Sequence, residues 1–144
     1  MSGVPALAVV VPALNEAATI ADTLRALQPL RARGAEIVVV DGGSDDGTAA
    51  RAAPWADRVI AAPRGRALQM NAGAAAARAA RLVFLHADTL LPPDADALVH
   101  AALERGPWGR FDVRIDGAPR LLRVVAVLMN LRSRLSGIAT GDQA

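Results

Sequence analysis

"EIVVVDGGSDDGT" occupies Glu36–Thr48. Its apolar part is short, continuous and β-branched, which reads as a strand buried on both faces. The run stops at Asp41. The residues after it, "GGSDDGT", are turn chemistry, because glycine reaches positive φ and Asp or Ser side chains bond to their own backbone. A strand apolar on both faces belongs in a parallel sheet covered by helices on two sides.

The neighbouring segments carry the same reading. "ALAVVV" (Ala6–Val11) is a second buried run. Asn15 is suited to cap a helix whose apolar residues Ile20, Leu24, Leu27 and Leu30 fall at helical spacing, with Gly34 as its stop. Ser44 or Asp45 is suited to cap a short helix to about Ala53. "DRVIAA" (Asp57–Ala62) reads as a short strand, "RALQMNAGAAAARAA" (Arg66–Ala80) as an Ala-rich helix despite Gly73, and "RLVFLHA" (Arg81–Ala87) as a further strand. "DADALVHAALER" (Asp94–Arg105) is helical and closed by Gly106. "RFDVRID" (Arg110–Asp116) alternates like an edge strand, and "PRLLRVVAVLMNLRSRL" (Pro119–Leu135) is helical. This alternation predicts an α/β fold over residues 1–144: one mostly parallel sheet with helices on both faces, without repeat or linker. Ligands of such sheets bind beyond the carboxyl ends of the strands.

Composition narrows the function. Of 144 residues 53% are hydrophobic, enough for one domain's core. The formal charge is +2, and every basic residue is Arg, so an alkaline isoelectric point follows from a group that does not titrate. With two Phe, two Trp, no Tyr and no basic stripe, nothing suits nucleic acid. The chain has no cysteine, which excludes disulfides, thiolate zinc sites and cysteine nucleophiles. The start lacks a basic n-region and is interrupted by Pro5 and Pro12, unlike a signal peptide. "LLRVVAVLMNL" (Leu121–Leu131) is too short to span a bilayer and holds Arg123. It reads as a core helix or as a membrane-surface helix suited to a lipid-linked acceptor. A cytoplasmic protein is expected, with peripheral membrane contact on the second reading.

Three strands end in polar clusters: "PALNE" (Pro12–Glu16), "DGGSDDGT" (Asp41–Thr48) and "HADT" (His86–Thr89). A parallel sheet brings all three to one edge, and a single pocket is the economical reading. Its residue types suit a nucleoside diphosphate. Asp41 can accept from a base or ribose, and Gly42 and Gly43 let backbone approach a ligand. Asn15 and Glu16 stand at a helix start with outward N–H groups. Arg66 can grip two phosphate oxygens with its planar fork. Asp88 is a hard oxygen ligand suited to Mg²⁺ or Mn²⁺. His86 is a softer ligand or a hydrogen bond to phosphate. Each has a plainer reading as a cap, turn or solvated residue; order and spacing are what favour the combination.

"VVVPALNE", "IVVVDGGSDDGT", "GRALQMNAGA", "LVFLHADTLLPPDA", "WGRFDVRI" and "TGDQA" together resemble family 2 glycosyltransferases of the GT-A fold. Within them they are similar to a bacterial subgroup labelled selenodomain-associated transferase 2. The resemblance covers almost the whole chain. It implies a nucleotide-sugar donor, a divalent metal (Mg²⁺ or Mn²⁺), and transfer to an acceptor hydroxyl with inversion, the acceptor being lipid-linked or a small molecule. It places the backbone of Pro12, Ala13 and Leu14, together with Asn15 and Glu16, in the nucleoside pocket. Asp41 holds the base, with Gly43 and Ser44 beside it. Arg66, Gln69 and Asn71 reach towards diphosphate or sugar. "HAD" stands where the family has Asp-x-Asp, so His86 replaces the first Asp, Ala87 is the middle residue, and Asp88 alone carries over as metal ligand.

The family's base is an acidic residue of a Glu-Asp pair after the "GDQ" segment. Here the sequence ends at Ala144, just past Asp142, the remaining acidic candidate, so the resemblance implies that the acceptor-side C-terminal segment is absent. The expectation is a chain that binds donor weakly and turns over little, or a non-catalytic nucleotide-sugar-binding or regulatory module. An unfinished sheet edge favours association of copies. Two rivals fit less well. A haloacid-dehalogenase phosphatase needs its nucleophile at the strand end, yet Ser44 stands where the first Asp of that signature belongs. A nucleotidyltransferase needs a Gly-rich basic loop after the first strand, which "PALNE" is not.

Overall fold

A computed structural model of the chain describes residues 3–111. The expected strand at Arg110–Asp116, the helix at Pro119–Leu135 and Asp142 lie wholly or largely outside the described residues. The chain divides into two compact units, residues 1–98 and 99–144. In the first, β1 (Ala8–Ala13), α1 (Ile20–Ala26), α2 (Gln28–Ala32), β2 (Glu36–Asp41), α3 (Thr48–Ala52), β3 (Arg58–Ala61), α4 (Arg66–Ala76) and β4 (Leu82–Phe84) follow in order. A 3₁₀ turn at Ala53–Trp55 links α3 to β3. Helix α5 (Ala95–Arg105) is the last described element, and along it His100 pairs with Glu104 at 3.4 Å. No described helix is long and apolar enough to cross a membrane.

The sheet has the order β3-β2-β1-β4, and every pairing is parallel. The α/β expectation is met. β1 and β2 are buried along nearly their whole length, as their unbroken apolar runs required. Alternation sorts their side chains. Val10, Val38 and Val40 form a core with Ile60, Phe84 and Ala72 of α4, while Val9, Val11, Ile37 and Val39 face the side where α1 and α3 pack together. Gly73 lets α4 lie close. A Cβ there would fall 2.9 Å from Val40 Cγ2 and nearer still to Val10 Cγ1.

Four boundaries differ from the sequence reading. The Ala-rich helix expected to Ala80 ends at Ala76, where Ala77 turns extended. β1 continues through Pro12 to Ala13. Val10 accepts from Leu85 N–H on the β4 side, so by alternation the nitrogen of Pro12 faces that side too, where β4 has already ended in register with Val10. No ladder bond is lost there. The expected single helix from Asn15 is two helices, the first starting only at Ile20, with the break at Leu27 just before Pro29. The fourth strand is regular only to Phe84.

At the opposite edge, the buried Glu36 carboxylate accepts from Arg78 N–H at 2.8 Å and its Nε at 3.2 Å. Arg33 clamps the segment after β4, donating to both Asp96 oxygens at 2.8 and 3.0 Å and to the Pro93 carbonyl at 2.7 Å.

Candidate functional site

β1 and β2 run side by side, with Ala13 in register with Asp41, so their following loops leave the same edge together. Hydrogen bonds tie these loops. Asn15 adopts φ 53°, the left-handed region that Asn tolerates better than most residues. That turn aims its N–H at Ser44 Oγ (2.9 Å) and lets its Oδ1 accept from Asp45 N–H (3.1 Å). Glu16 N–H donates to Thr48 Oγ1 at 2.9 Å, and Ala17 N–H to Asp46 Oδ2 at 3.0 Å. Asp46 Oδ1 in turn accepts from Thr48 N–H at 3.0 Å and its hydroxyl at 2.5 Å. The Thr48 hydroxyl, followed by the Ala17 N–H, holds the Asp46 carboxyl below the usual carboxylate range.

Asn15 is therefore not a helix cap. Its side chain is spent on the second loop, and Thr19 precedes α1. Neither Ser44 nor Asp45 caps α3, which follows Gly47 and whose first N–H is taken by Asp46. Asp46, Thr48 and the cross-loop bonds were not foreseen. The Asp-x-Thr spacing signals a local Asx-type turn, but nothing in it names the partner loop.

Asp41 stands at the foot of this lattice, 9% exposed. Its Oδ2 accepts from Gly43 N–H at 3.1 Å and Ser44 N–H at 3.0 Å. Its Oδ1 is buried and has no partner among the described residues. A buried carboxylate oxygen is costly to leave unpaired, and such an atom at a strand's carboxyl end is suited to a ligand's N–H or O–H. Gly43 has φ 90° and nothing within 4 Å of where a Cβ would be, so its backbone is open to close approach. Gly42 is not. The space its Cβ would take is filled by the Gln69 amide, which corrects the expectation that both glycines face a ligand.

Gln69 likewise does not reach towards a diphosphate. It is buried, donating to the carbonyls of Ala13 and Val40. Arg66, in the first position of α4, lies against the His86 ring, with Nη2 2.8 Å from Nε2 and in contact also with Nδ1. Asn71 is exposed on α4, roughly 160° around the helix from the inward-facing Gln69, and is not brought to this group.

The "HAD" turn is anchored from beneath. Leu85 N–H donates to Val10, and the Thr23 hydroxyl of α1 donates to the buried Ala87 carbonyl. Thr89 N–H closes the turn on the His86 carbonyl at 3.1 Å. Asp88 is left exposed at the tip, accepting from the Thr89 hydroxyl at 3.2 Å. Among the described residues, no three acidic or His side chains cluster as a metal cage. Where the sequence reading expects one pocket, the strand-end residues fall into two groups: Pro12–Glu16 with Asp41, Gly43 and Ser44, and Arg66 with His86 beside Ala87 and Asp88.

The model of the glycosyl transferase family 2 matches residues 8–125. Among solved structures, glucosyl-3-phosphoglycerate synthase from Mycobacterium tuberculosis, in complex with Mn²⁺, UDP and phosphoglyceric acid, is 28% identical. It aligns over 74% of this chain and 41% of its own, with a TM-score of 0.62. A mannosyltransferase from Pyrobaculum calidifontis, in complex with GDP-mannose and Mn²⁺, is 30% identical over 68% of this chain and 31% of its own, with a TM-score of 0.57. The chain thus spans less than half the length of either. A search of proteins of curated function finds no match.

Proposed function

This chain belongs to glycosyl transferase family 2, and we propose that it is the donor-binding part of an enzyme that moves a sugar from a nucleoside diphosphate to an acceptor hydroxyl with inversion. The observation that carries this is Asp41 Oδ1, buried at the strand edge and without a partner among the described residues. Its twin oxygen is pinned by two backbone N–H groups, so the carboxylate cannot swing away, and Oδ1 is poised to accept a nucleobase N–H. The open backbone of Gly43 and the rim of Pro12, Ala13, Leu14, Asn15, Glu16 and Ser44 give the nucleoside a rigid seat. Arg66, held against His86, brings a cation to the diphosphate side. The motifs it carries keep the selenodomain-associated transferase 2 subgroup as the narrower assignment.

Both of these neighbours were solved with Mn²⁺ and a nucleotide. Here Asp88 is exposed and oxygen-bearing, and one carboxylate with diphosphate oxygens and waters is an ordinary set for Mg²⁺ or Mn²⁺. His86 contributes no carboxylate. When bound, the metal neutralises charge on the departing nucleoside diphosphate. No described residue is assigned to the acceptor proton, and Asp142 remains the sequence candidate. The phosphoglyceric acid in one neighbour favours a small hydroxyl-bearing acceptor over a lipid-linked one.

Calorimetric titration of UDP and of GDP, each with Mn²⁺ and with EDTA, tests this. Wild type binds one of them in a metal-dependent way. Asp41→Asn weakens binding roughly 10- to 100-fold, as expected for losing a charged acceptor, and Asp88→Ala abolishes the difference between Mn²⁺ and EDTA. Failure of wild type to bind either nucleotide refutes the reading.

A further inference from the structure

Gln69 lies one turn along α4 from Arg66 and is 4% exposed. Its Nε2 spends both hydrogens inside the protein, on the Ala13 carbonyl at 2.9 Å and the Val40 carbonyl at 3.0 Å. Its Oε1 accepts from Gly65 N–H at 3.4 Å. Gly42 closes the cage: a Cβ there would lie 2.8 Å from Oε1 and 2.9 Å from Cδ, with the three nearest atoms all belonging to Gln69. Gly42 N–H also donates to that same Ala13 carbonyl, at 2.9 Å.

Each backbone group that this amide touches is next to a piece of the donor site. Ala13 leads into the Leu14–Glu16 rim, Val40 precedes Asp41, and Gly65 precedes Arg66. The amide offers two donors and one acceptor at once. A Glu of the same shape offers the two carbonyls at most one hydrogen, and a Met offers none.

We propose that Gln69 is a positioning residue that holds the nucleoside end of the donor site, at Asp41, in register with its diphosphate end, at Arg66. This rests on the donor-site reading of Asp41 and Arg66. A ligand that engages both ends gains from their fixed separation, and a ligand that touches one end gains nothing from it.

The test is an NMR titration of the 144-residue chain in Mg²⁺ with UDP, uridine and inorganic pyrophosphate, and in parallel with GDP and guanosine. Wild type is compared with Gln69→Ala and Gly42→Ala. The second variant wedges the amide without altering it. In both, affinity for the nucleotide that wild type prefers falls about tenfold or more, while nucleoside and pyrophosphate affinities each change by less than about twofold. Gly42→Ala added to Gln69→Ala has little further effect, because the clashing atoms are gone. If Gln69→Ala does not fold, Gly42→Ala gives the answer alone. If neither folds, Gln69 is a core-packing residue and the proposal falls. An equal loss for all three ligands, or an unchanged nucleotide affinity, overturns it while leaving the donor site standing. Wild type binding no nucleotide overturns both.

Discussion

The Thr23 hydroxyl of α1 donates a 2.6 Å hydrogen bond to the Ala87 carbonyl, joining two residues 64 positions apart. Both groups are buried. The first helix after β1 therefore fixes the turn that carries Asp88. Thr23→Val keeps the shape and removes the donor. Leaving the Ala87 carbonyl unpaired costs about 1–3 kcal/mol, to be read from urea unfolding. The Mn²⁺ dependence of nucleotide binding weakens with it. Unchanged stability would show that the carbonyl finds another donor.

Asp46 makes the loop lattice sensitive to acid. Its folded pKa lies below the ordinary value, chiefly through the Thr48 hydroxyl. A depressed carboxyl pKa stabilises the fold above the unfolded value, and the benefit is lost as pH falls through the folded one. The lattice is therefore intact above the ordinary Asp value of about 3.9 and loosens only below it. The Ala17 amide, bonded to Asp46 Oδ2, reports this as an NMR shift and as faster hydrogen exchange. Asp46→Asn removes that acid step. An Ala17 amide indifferent to pH in this range would contradict the assignment.

Gly73→Ala is a packing test free of any functional assumption. A methyl group there meets Val10 and Val40, both fully buried in the sheet. Overpacking of this kind costs typically about 1–3 kcal/mol, although Ala is intrinsically the better helix former by about 0.8–1 kcal/mol. The expected outcome is a net fall in melting temperature, and a rise would mean that α4 shifts outward at little cost.

Much of the fold could be read from the chain because β1 and β2 are buried on both faces, which leaves unbroken apolar runs such as Val9–Val11 and Ile37–Val40, the second ending at Asp41. The edge on which the candidate site lies follows from parallel order alone. Local signals misled where a side chain bonds across loops rather than along the chain. Asn15 has the residue type of a helix cap, yet its partners, Ser44 and Asp45, are 29 and 30 positions away. α4 hides its inner face from periodicity, since buried Gln69 and Gly73 line it while Leu68 is 52% exposed. The Gln69 amide bonds to carbonyls whose place depends on two strands already being paired, and no local pattern carries that information.

The strand order has a consequence for synthesis on the ribosome. Three strands in spatial sequence, β1 to β3, are complete once Ala61 has emerged, but the other side of β1 is closed only by Leu82–Phe84. Until then β1, an interior strand of the finished sheet, is an edge. Twenty residues separate Ala61 from Leu82, and translation at about 5–20 residues per second takes roughly 1–4 s to deliver them. For that interval the nascent chain presents a bare Val-rich edge able to recruit a second polypeptide. Slower elongation between these two strands lengthens that exposure in proportion.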